Sequence, residues 1–192
     1  FETARKFGFS EKSGIKFKSE SSGTLKNNKH WSAPSKSEIS IGYEVSVTSL
    51  QLAMAYSAIA NGGVLLKPQL IKNLKTPGGF REDVDDMLAI RRVASEETMN
   101  TLSGILEKAV SHGTGGLAFL PNLKIAGKTG TAKKIKKGKY VSEYVASFAS
   151  FYPSDNPEYT LIVIVDHPRT GGYTGGMVAA PIAKEIYRRI YN

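Results

Sequence analysis

The chain has 192 residues, about the length of one domain and enough to enclose a hydrophobic core. It contains no cysteine, which excludes disulfide bonds, thiol nucleophiles and cysteine-ligated zinc. The formal net charge of +9, from 26 basic and 17 acidic residues, permits binding to anionic polymers or membrane surfaces.

Residues 1–46 are rich in glycine, serine and lysine, and their order predicts irregular chain with short turns. The first residues, Phe1-Glu2-Thr3-Ala4-Arg5-Lys6, lack an obvious helix start. Because the first residue is not methionine, we expect this chain to be part of a longer one. The three histidines stand far apart in the sequence, so we expect no metal site.

Two helices are predicted in the middle of the chain. Thr48 and Gln51 have the spacing of a capping box, and apolar residues up to Ala60 suit a helix that is buried on much of its surface. Asn61-Gly62-Gly63 then supplies residues for a left-handed C-cap. Ser95 is a good N-cap for a second, amphipathic helix that ends at Gly113.

The segment between the two helices is predicted to hold short extended pieces and a loop. Val64–Asn73 contains two short apolar runs broken at Pro68. Thr76–Asp86 is polar and carries four carboxylates, at Glu82, Asp83, Asp85 and Asp86. No second ligand group is evident beside them, so a surface loop is favoured over a metal site.

Three strands are predicted next, over Leu123–Ala132, Tyr144–Tyr152 and Tyr159–Asp166. The links between them are short enough for antiparallel hairpins. The last strand is apolar on both faces, which predicts a central position in the sheet. Between the first two strands lies a cluster of five lysines, for which a solvated hairpin loop is favoured over a nucleic-acid site: Lys133, Lys134, Lys136, Lys137 and Lys139.

A glycine-rich loop and a final helix complete the chain. Gly171–Gly176 predicts a flexible loop, whose Tyr173 and Thr174 fit either the rim of a cleft or a mobile surface. The helix that follows places four apolar residues on one face: Val178, Ile182, Ile186 and Ile190. Helices first, an antiparallel sheet and a final helix across it make an α+β arrangement.

The first predicted strand contains Lys128-Thr129-Gly130-Thr131. A positive side chain, two hydroxyls and a glycine at this spacing suit a site that holds an acylated substrate. Lys-Thr-Gly is one of three sequence elements of the serine acyl-transferases that react with β-lactams. Strand alternation places Thr129 and Thr131 on one face, so both side chains or neither point to a substrate.

The chain resembles the transpeptidase domain of class B penicillin-binding proteins over nearly its whole length. The Lys-Thr-Gly segment is one of several stretches that occur in the family's order, and ordered stretches are far more specific than one tripeptide. The others are Phe7-Gly8-Phe9, Ser13-Gly14-Ile15, Ser40-Ile41-Gly42-Tyr43, 47–53, Ala60-Asn61-Gly62-Gly63, Gly113-Thr114-Gly115, Asp155-Asn156-Pro157, Gly175-Gly176 and Ala179-Ala180-Pro181.

The resemblance implies the penicillin-binding-protein and serine β-lactamase-like fold, with an antiparallel sheet flanked by helices. Residues 1–192 would be the C-terminal part of one transpeptidase domain, with the nucleophile-bearing part missing. The family's other two catalytic elements are Ser-x-x-Lys and Ser-x-Asn. Their residue patterns occur here in Ser13-Gly14-Ile15-Lys16 and in Ser154-Asp155-Asn156. Both fall at the wrong place in the family's order, so we interpret them as structural and expect no nucleophile in this chain.

The resemblance also implies roles for the motif in cross-linking peptidoglycan through a serine acyl-enzyme. Lys128 would supply positive charge to the substrate carboxylate and the proton-transfer network, and the Thr131 backbone N–H would form part of the oxyanion hole. Thr129 and Thr131 would bind the carboxylate through their hydroxyls, and Gly130 would leave room for substrate along the strand edge.

No cofactor or metal is expected. The implied partners are peptidoglycan stem peptides, β-lactam antibiotics, the remainder of the same domain, and membrane proteins of cell division or elongation, with no nucleic acid. The implied location is the extracytoplasmic face of a bacterial cytoplasmic membrane, with the anchor outside this sequence. A non-catalytic penicillin-recognising sensor or scaffold is the alternative function, and a β-lactamase is a third.

Overall fold

The structure is a computed structural model that describes residues 1–15, 17, 19–83 and 87–191. Three residues named above, Lys16, Asp85 and Asp86, lie outside these ranges. Within them, no helix is both long and apolar enough to cross a bilayer.

The N-terminal quarter contains short regular elements, so the prediction of irregular chain over residues 1–46 was wrong in part. Helix α1 spans Glu2–Lys6 and helix α2 spans Ser35–Ser40, while strands β1 (Thr24–Leu25) and β2 (Val45–Ser46) pair antiparallel. Helix α1 has no side-chain cap, but it carries an acidic residue in its first turn and basic residues in its last. That charge order complements the helix dipole and compensates in part for the missing cap.

The two predicted helices of the middle region are confirmed. Helix α3 spans Ser49–Ala60, and Thr48 and Gln51 make both hydrogen bonds of the capping box, at 3.1 and 2.9 Å. The chain leaves this helix through Gly62 and Gly63, with φ of 77° and 101°. Helix α4 spans Glu96–Ser111, and the hydroxyl of Ser95 accepts from Thr98 N at 3.2 Å.

Two small sheets connect α3 to α4. Strand β3 (Val64–Leu66) pairs with β6 (Ala89–Arg92), and β4 (Asn73–Lys75) pairs with β5 (Arg81–Asp83). The interpretation of Thr76–Asp86 as a plain surface loop was therefore wrong at Arg81–Asp83. A tight turn makes the hairpin possible, because Thr76 N donates to Phe80 O and Gly79 takes a φ of 80°.

The main sheet has the order β7–β8–β9 and is antiparallel throughout, as predicted. Its strands are Ala126–Lys136, Lys139–Tyr152 and Tyr159–Asp166. The first two run on through most of the lysine cluster, and only Lys137 and Gly138 form the turn, with φ of 51° and 73°. Two successive left-handed residues make a turn whose twist matches long paired strands.

Strand β8, not β9, is central among the described strands, so that prediction was wrong. Strand β9 is apolar on both faces because helices pack on both. Leu161, Val163 and Val165 contact the core beneath the last helix, α5 (Ala180–Tyr191). On the other face, the Thr160 hydroxyl accepts from Ser57 of α3 at 3.1 Å.

Helix α5 packs across the sheet, but the predicted apolar face was right only in part: Ile186 packs against the core. The buried residues of the helix are Ala180, Ala183 and Tyr187, whereas Ile182 and Ile190 are 44% and 46% exposed. Two alanines allow the helix backbone to approach the sheet, and the phenol of Tyr187 lies 3.0 Å from the hydroxyl of Ser150. Burial raises the pKa of Tyr187 to about 12. The buried face of α5 is therefore centred on Ala183 and Tyr187, with Ile186 beside them.

The N-terminal segment is attached to α3 through Gln51, whose side chain is buried. Its Nε2 donates to the carbonyl oxygens of Glu11 and Ser22, both at 2.8 Å, and lies 3.4 Å from Gly8 O. Buried carbonyl groups need such donors, and leaving one unpaired costs about 1–3 kcal/mol. One side chain therefore joins three points of residues 8–22 to the helix.

We predict that Gln51→Met, which keeps the shape but removes the amide, lowers the free energy of unfolding by about 2 kcal/mol, because two partly buried carbonyl groups and a capping contact lose their partner. Urea unfolding followed by circular dichroism measures this change. Gln69→Met is the matched control, because the chain's other glutamine is exposed. Equal stability of the two variants would contradict the prediction.

Candidate active site

Strand β7 presents the Lys-Thr-Gly-Thr segment at the edge of the main sheet. One side of β7 pairs with β8, in the register Lys128↔Ala149 to Thr131↔Ala146, and no described strand pairs with its other side. Alternate residues of an edge strand keep backbone groups free for an added partner. The segment therefore offers both side chains and free backbone groups at one place.

Lys128 is exposed, and its Nζ donates to the carbonyl oxygen of Thr129 at 3.2 Å. It makes no ion pair among the residues that the structure describes. Two other lysines of this sheet have carboxylate partners: Lys134 lies 2.5 Å from Asp166, and Lys136 pairs with Glu143. The charge of Lys128 is thus left uncompensated beside the free edge of the strand.

Thr129 and Thr131 share one face of β7, as strand alternation requires. The neighbouring positions on this face of β8 include Phe148, which belongs to the core under α5. Lys128 and Gly130 lie on the opposite face, on the side where Ala126 packs with residues of α3 and α4.

The hydroxyls of the two threonines are held by two different loops. The Thr129 hydroxyl lies 2.8 Å from that of Thr114, in the loop that follows α4. The Thr131 hydroxyl accepts from Gly175 N at 3.1 Å, at the start of a π-helical turn, Gly175–Ala179, that leads into α5. A hydroxyl can accept and donate at once, so Thr131 keeps its own hydrogen for another acceptor.

Glycines allow these loops to approach β7 closely. A Cβ on Gly175 would lie 2.2 Å from Ser147 O and 2.4 Å from Gly130 O. A Cβ on Gly130 would lie 2.5 Å from Ser147 Oγ on the other face of the sheet. The backbones of β7, β8 and the π-helical turn are therefore in direct contact at the motif, which fixes the position of its free edge.

The predicted loop before α5 is organised by specific contacts. Tyr173 stacks on Tyr144 of β8, with ring centroids 4.4 Å apart and an interplanar angle of 29°. The Thr174 hydroxyl accepts from Met177 N at 3.3 Å and caps the π-helical turn. These contacts hold the loop against the sheet beside the motif.

Two segments have the residue pattern of a catalytic element but stand at the wrong place in the family's order. Their polar side chains bind neighbouring residues of the fold. Ser13 is buried, and its hydroxyl accepts from Ile15 N at 3.2 Å. Ser154 and Asp155 form the turn between β8 and β9, where Ser154 donates to Glu107 and Asp155 pairs with Lys124 at 2.5 Å. The hydrogen bond from Lys124 lowers the pKa of the Asp155 carboxyl. Within the described residues no cluster of metal-ligating side chains is present.

Sequence reasoning missed the contacts of Thr114 and Gly175 with the motif. Both belong to stretches singled out in the sequence, Gly113-Thr114-Gly115 and Gly175-Gly176. Their separations from their threonine partners are 15 and 44 residues. The glycines in these two stretches were the signal that could have indicated the contacts, because glycine lets one backbone segment approach another closely.

Comparison with known proteins places these features in a family. Residues 1–188 match the family described as penicillin binding protein transpeptidase domain. Stage V sporulation protein D of Bacillus subtilis is 37% identical over 190 residues, which are 98% of this chain and 29% of that protein. Peptidoglycan D,D-transpeptidase FtsI of Buchnera aphidicola is 36% identical over 96% of this chain and 32% of its own length. This chain thus spans about a third of these relatives.

Among solved structures, penicillin binding protein 3 of Mycobacterium tuberculosis superposes with a TM-score of 0.89 at 34% identity. The match covers 98% of this chain and 45% of that one. That protein is also known in complexes with ampicillin and with aztreonam.

We predict that Gly175→Ala displaces the π-helical turn from β7, because the added methyl group would overlap two backbone oxygens. Overpacking of this kind costs about 1–3 kcal/mol, measurable as a lower melting temperature. Gly104→Ala in α4 is the control: a Cβ there meets nothing within 4 Å, and alanine favours helix by up to about 1 kcal/mol. A Gly175→Ala protein as stable as the control would contradict the close contact.

Proposed function

This chain belongs to the transpeptidase family of penicillin-binding proteins, and from that membership we propose that it is part of a peptidoglycan D,D-transpeptidase. The observation that carries the proposal is the Lys128-Thr129-Gly130-Thr131 segment on the free edge of β7, where the ammonium has no carboxylate partner among the described residues and the threonine hydroxyls lie close by. The names of several relatives, among them peptidoglycan D,D-transpeptidase FtsI, support the same reaction.

In the proposed reaction, a serine oxygen attacks the carbonyl carbon of the penultimate residue of a D-Ala-D-Ala stem peptide. The peptide bond breaks, the amine takes a proton, and D-alanine leaves, so that the stem remains as an ester on the serine. An amine of a neighbouring stem then attacks the ester, forms the cross-linking amide and returns the proton to the serine. We propose that this serine lies outside residues 1–192.

Lys128 and the two threonines would bind the terminal carboxylate of the stem. An uncompensated ammonium at an exposed strand edge attracts an anion, and hydrogen bonds to a charged acceptor are about twice as strong as neutral ones. The hydroxyl of Thr131 accepts from Gly175 N, which leaves its hydrogen available to donate to that carboxylate. Lys128 would also take part in proton transfer around the serine.

The backbone N–H of Thr131 would be one of the two donors of the oxyanion hole. The carbonyl oxygen of Thr129 accepts a hydrogen bond from the Lys128 ammonium. This bond supports a direction of the Thr129 carbonyl away from β8. Alternate residues of an edge strand direct their backbone groups the same way. The same argument supports an outward direction for the N–H of Thr131, whose partner donor would be the N–H of the serine itself.

The free edge would receive the substrate as an added strand. Backbone hydrogen bonds along β7 would align the stem peptide, and the absence of a side chain at Gly130 would let it lie close. A β-lactam would acylate the same serine, in line with the ampicillin and aztreonam complexes of the M. tuberculosis relative. The proposed location is the extracytoplasmic face of the cytoplasmic membrane, among proteins of cell division or elongation.

We predict that a fluorescent penicillin labels the full-length protein but not residues 1–192 alone, because the acylated serine is absent from the fragment. Gel fluorescence after incubation of both proteins measures the outcome. Labelling of the fragment would contradict the assignment of the nucleophile, and an unlabelled full-length protein would favour a non-catalytic scaffold.

In the full-length protein, we predict that Lys128→Ala slows acylation by penicillin about a hundredfold or more, the cost of removing a preorganised charged donor from an active site. The second-order rate constant of acylation measures this effect. Lys137→Ala is the matched control, since Lys137 is an exposed lysine at the hairpin turn of the same strands. A Lys128→Ala protein that is acylated at the control rate would remove Lys128 from the mechanism.

A further inference from the structure

We propose that Thr114 is a positioning residue that directs the hydroxyl hydrogen of Thr129 toward the substrate carboxylate. The inference rests on the proposed function, because it gives Thr129 a substrate to bind. It extends the site from β7 to the loop that follows α4.

The contact that carries the proposal is the 2.8 Å approach of the two threonine hydroxyls. Each hydroxyl has one hydrogen, so only one of the two can donate in the bond that they share. A carboxylate only accepts. Thr129 can therefore donate to a carboxylate and keep its bond to Thr114 only when Thr114 is the donor.

The side chain of Thr129 is held with its oxygen toward Thr114. Its methyl group lies 3.8 Å from the place that a Cβ on Gly176 would take, so the methyl group faces the π-helical turn. A β-branched side chain has few allowed χ1 angles. With the methyl group on that side, the hydroxyl is directed to the loop that carries Thr114.

Thr114 itself stands on a loop that is packed against the end of α4. A Cβ on Gly113 or Gly115 would lie 2.8 or 3.0 Å from Ala109 O, and Gly115 N donates to the same oxygen at 3.0 Å. The carbonyl oxygen of Thr114 lies 2.6 Å from the place of a Cβ on Gly176. The backbone of Thr114 is thus fixed from two sides, while its side chain is exposed.

The expected chain of hydrogen bonds runs from Thr114 to Thr129 to the carboxylate. A hydroxyl that accepts one bond becomes a better donor in the next, because successive bonds polarise one another. Without Thr114, the Thr129 hydroxyl loses this partner and can rotate away from the ligand. Thr114 acts through Thr129 and does not touch the substrate.

The test uses the full-length protein and the second-order rate constant of its acylation by a fluorescent penicillin. Thr114→Val should slow acylation about tenfold, the equivalent of one weakened hydrogen bond to a charged group. Thr114→Ser retains the hydroxyl and should restore the rate. Thr101→Val, at an exposed threonine of α4, is the control and should leave the rate unchanged, and melting temperatures of all variants should agree.

A double-mutant cycle separates positioning from direct binding. If Thr114 acts through Thr129, adding Thr114→Val to Thr129→Val causes no further loss. A further loss in the double variant, or a normal rate for Thr114→Val beside a slow Thr129→Val, would overturn this inference and leave the proposed function standing. A normal rate for Thr129→Val would overturn both the carboxylate-binding role of Thr129 and the positioning role of Thr114.

Discussion

The close contact of three backbones around Gly130 is the constraint on which the candidate site depends. An edge strand by itself is free to twist and to pair with other chains. Here β8 holds one side of β7, and the π-helical turn at Gly175 lies directly on Gly130 and Ser147, with no space for a side chain between them. None of the described strands pairs with the other side of β7. The motif is therefore rigid in position and accessible at its edge, which is what a site needs if it binds peptides as added strands.

Local signals in the sequence predicted the long helices and the strands of the main sheet correctly. The caps of α3 and α4 are examples. Thr48 bonds to Gln51 and Ser95 bonds to Thr98, so both partners of each cap lie within one short stretch of sequence. The antiparallel order of the main sheet follows from short links between apolar runs. The α+β class and the family resemblance rest on such signals, and both are confirmed.

The errors arose where a residue's partner lies far away in sequence. The isoleucine stripe of α5 was a stronger periodic signal than Ala183 with Tyr187, yet the tyrosine has a polar partner at Ser150, 37 residues earlier. Strand β9 was predicted to be central because it is apolar on both faces, but the reason for that pattern is that helices cover both faces. In the site, alternation placed Thr129 and Thr131 on one face, but it could not show that Thr114 and Gly175 hold their hydroxyls. Such contacts depend on the path of two loops, which no periodicity encodes.

The attachment of the N-terminal segment through Gln51 has an entropic consequence. Strands β7 and β8 are joined by a two-residue turn, so their pairing closes a minimal loop, whereas the bonds of Gln51 to Ser22, Glu11 and Gly8 close loops of 29 to 43 residues. Each doubling of loop length adds only about 0.6 kcal/mol, and Arg91 closes still longer loops, because its guanidinium pairs with Glu11 and donates to Arg5 O. The N-terminal segment thus depends on side chains that are distant in sequence, whereas the strand that carries Lys128 belongs to a sheet held by two backbone ladders.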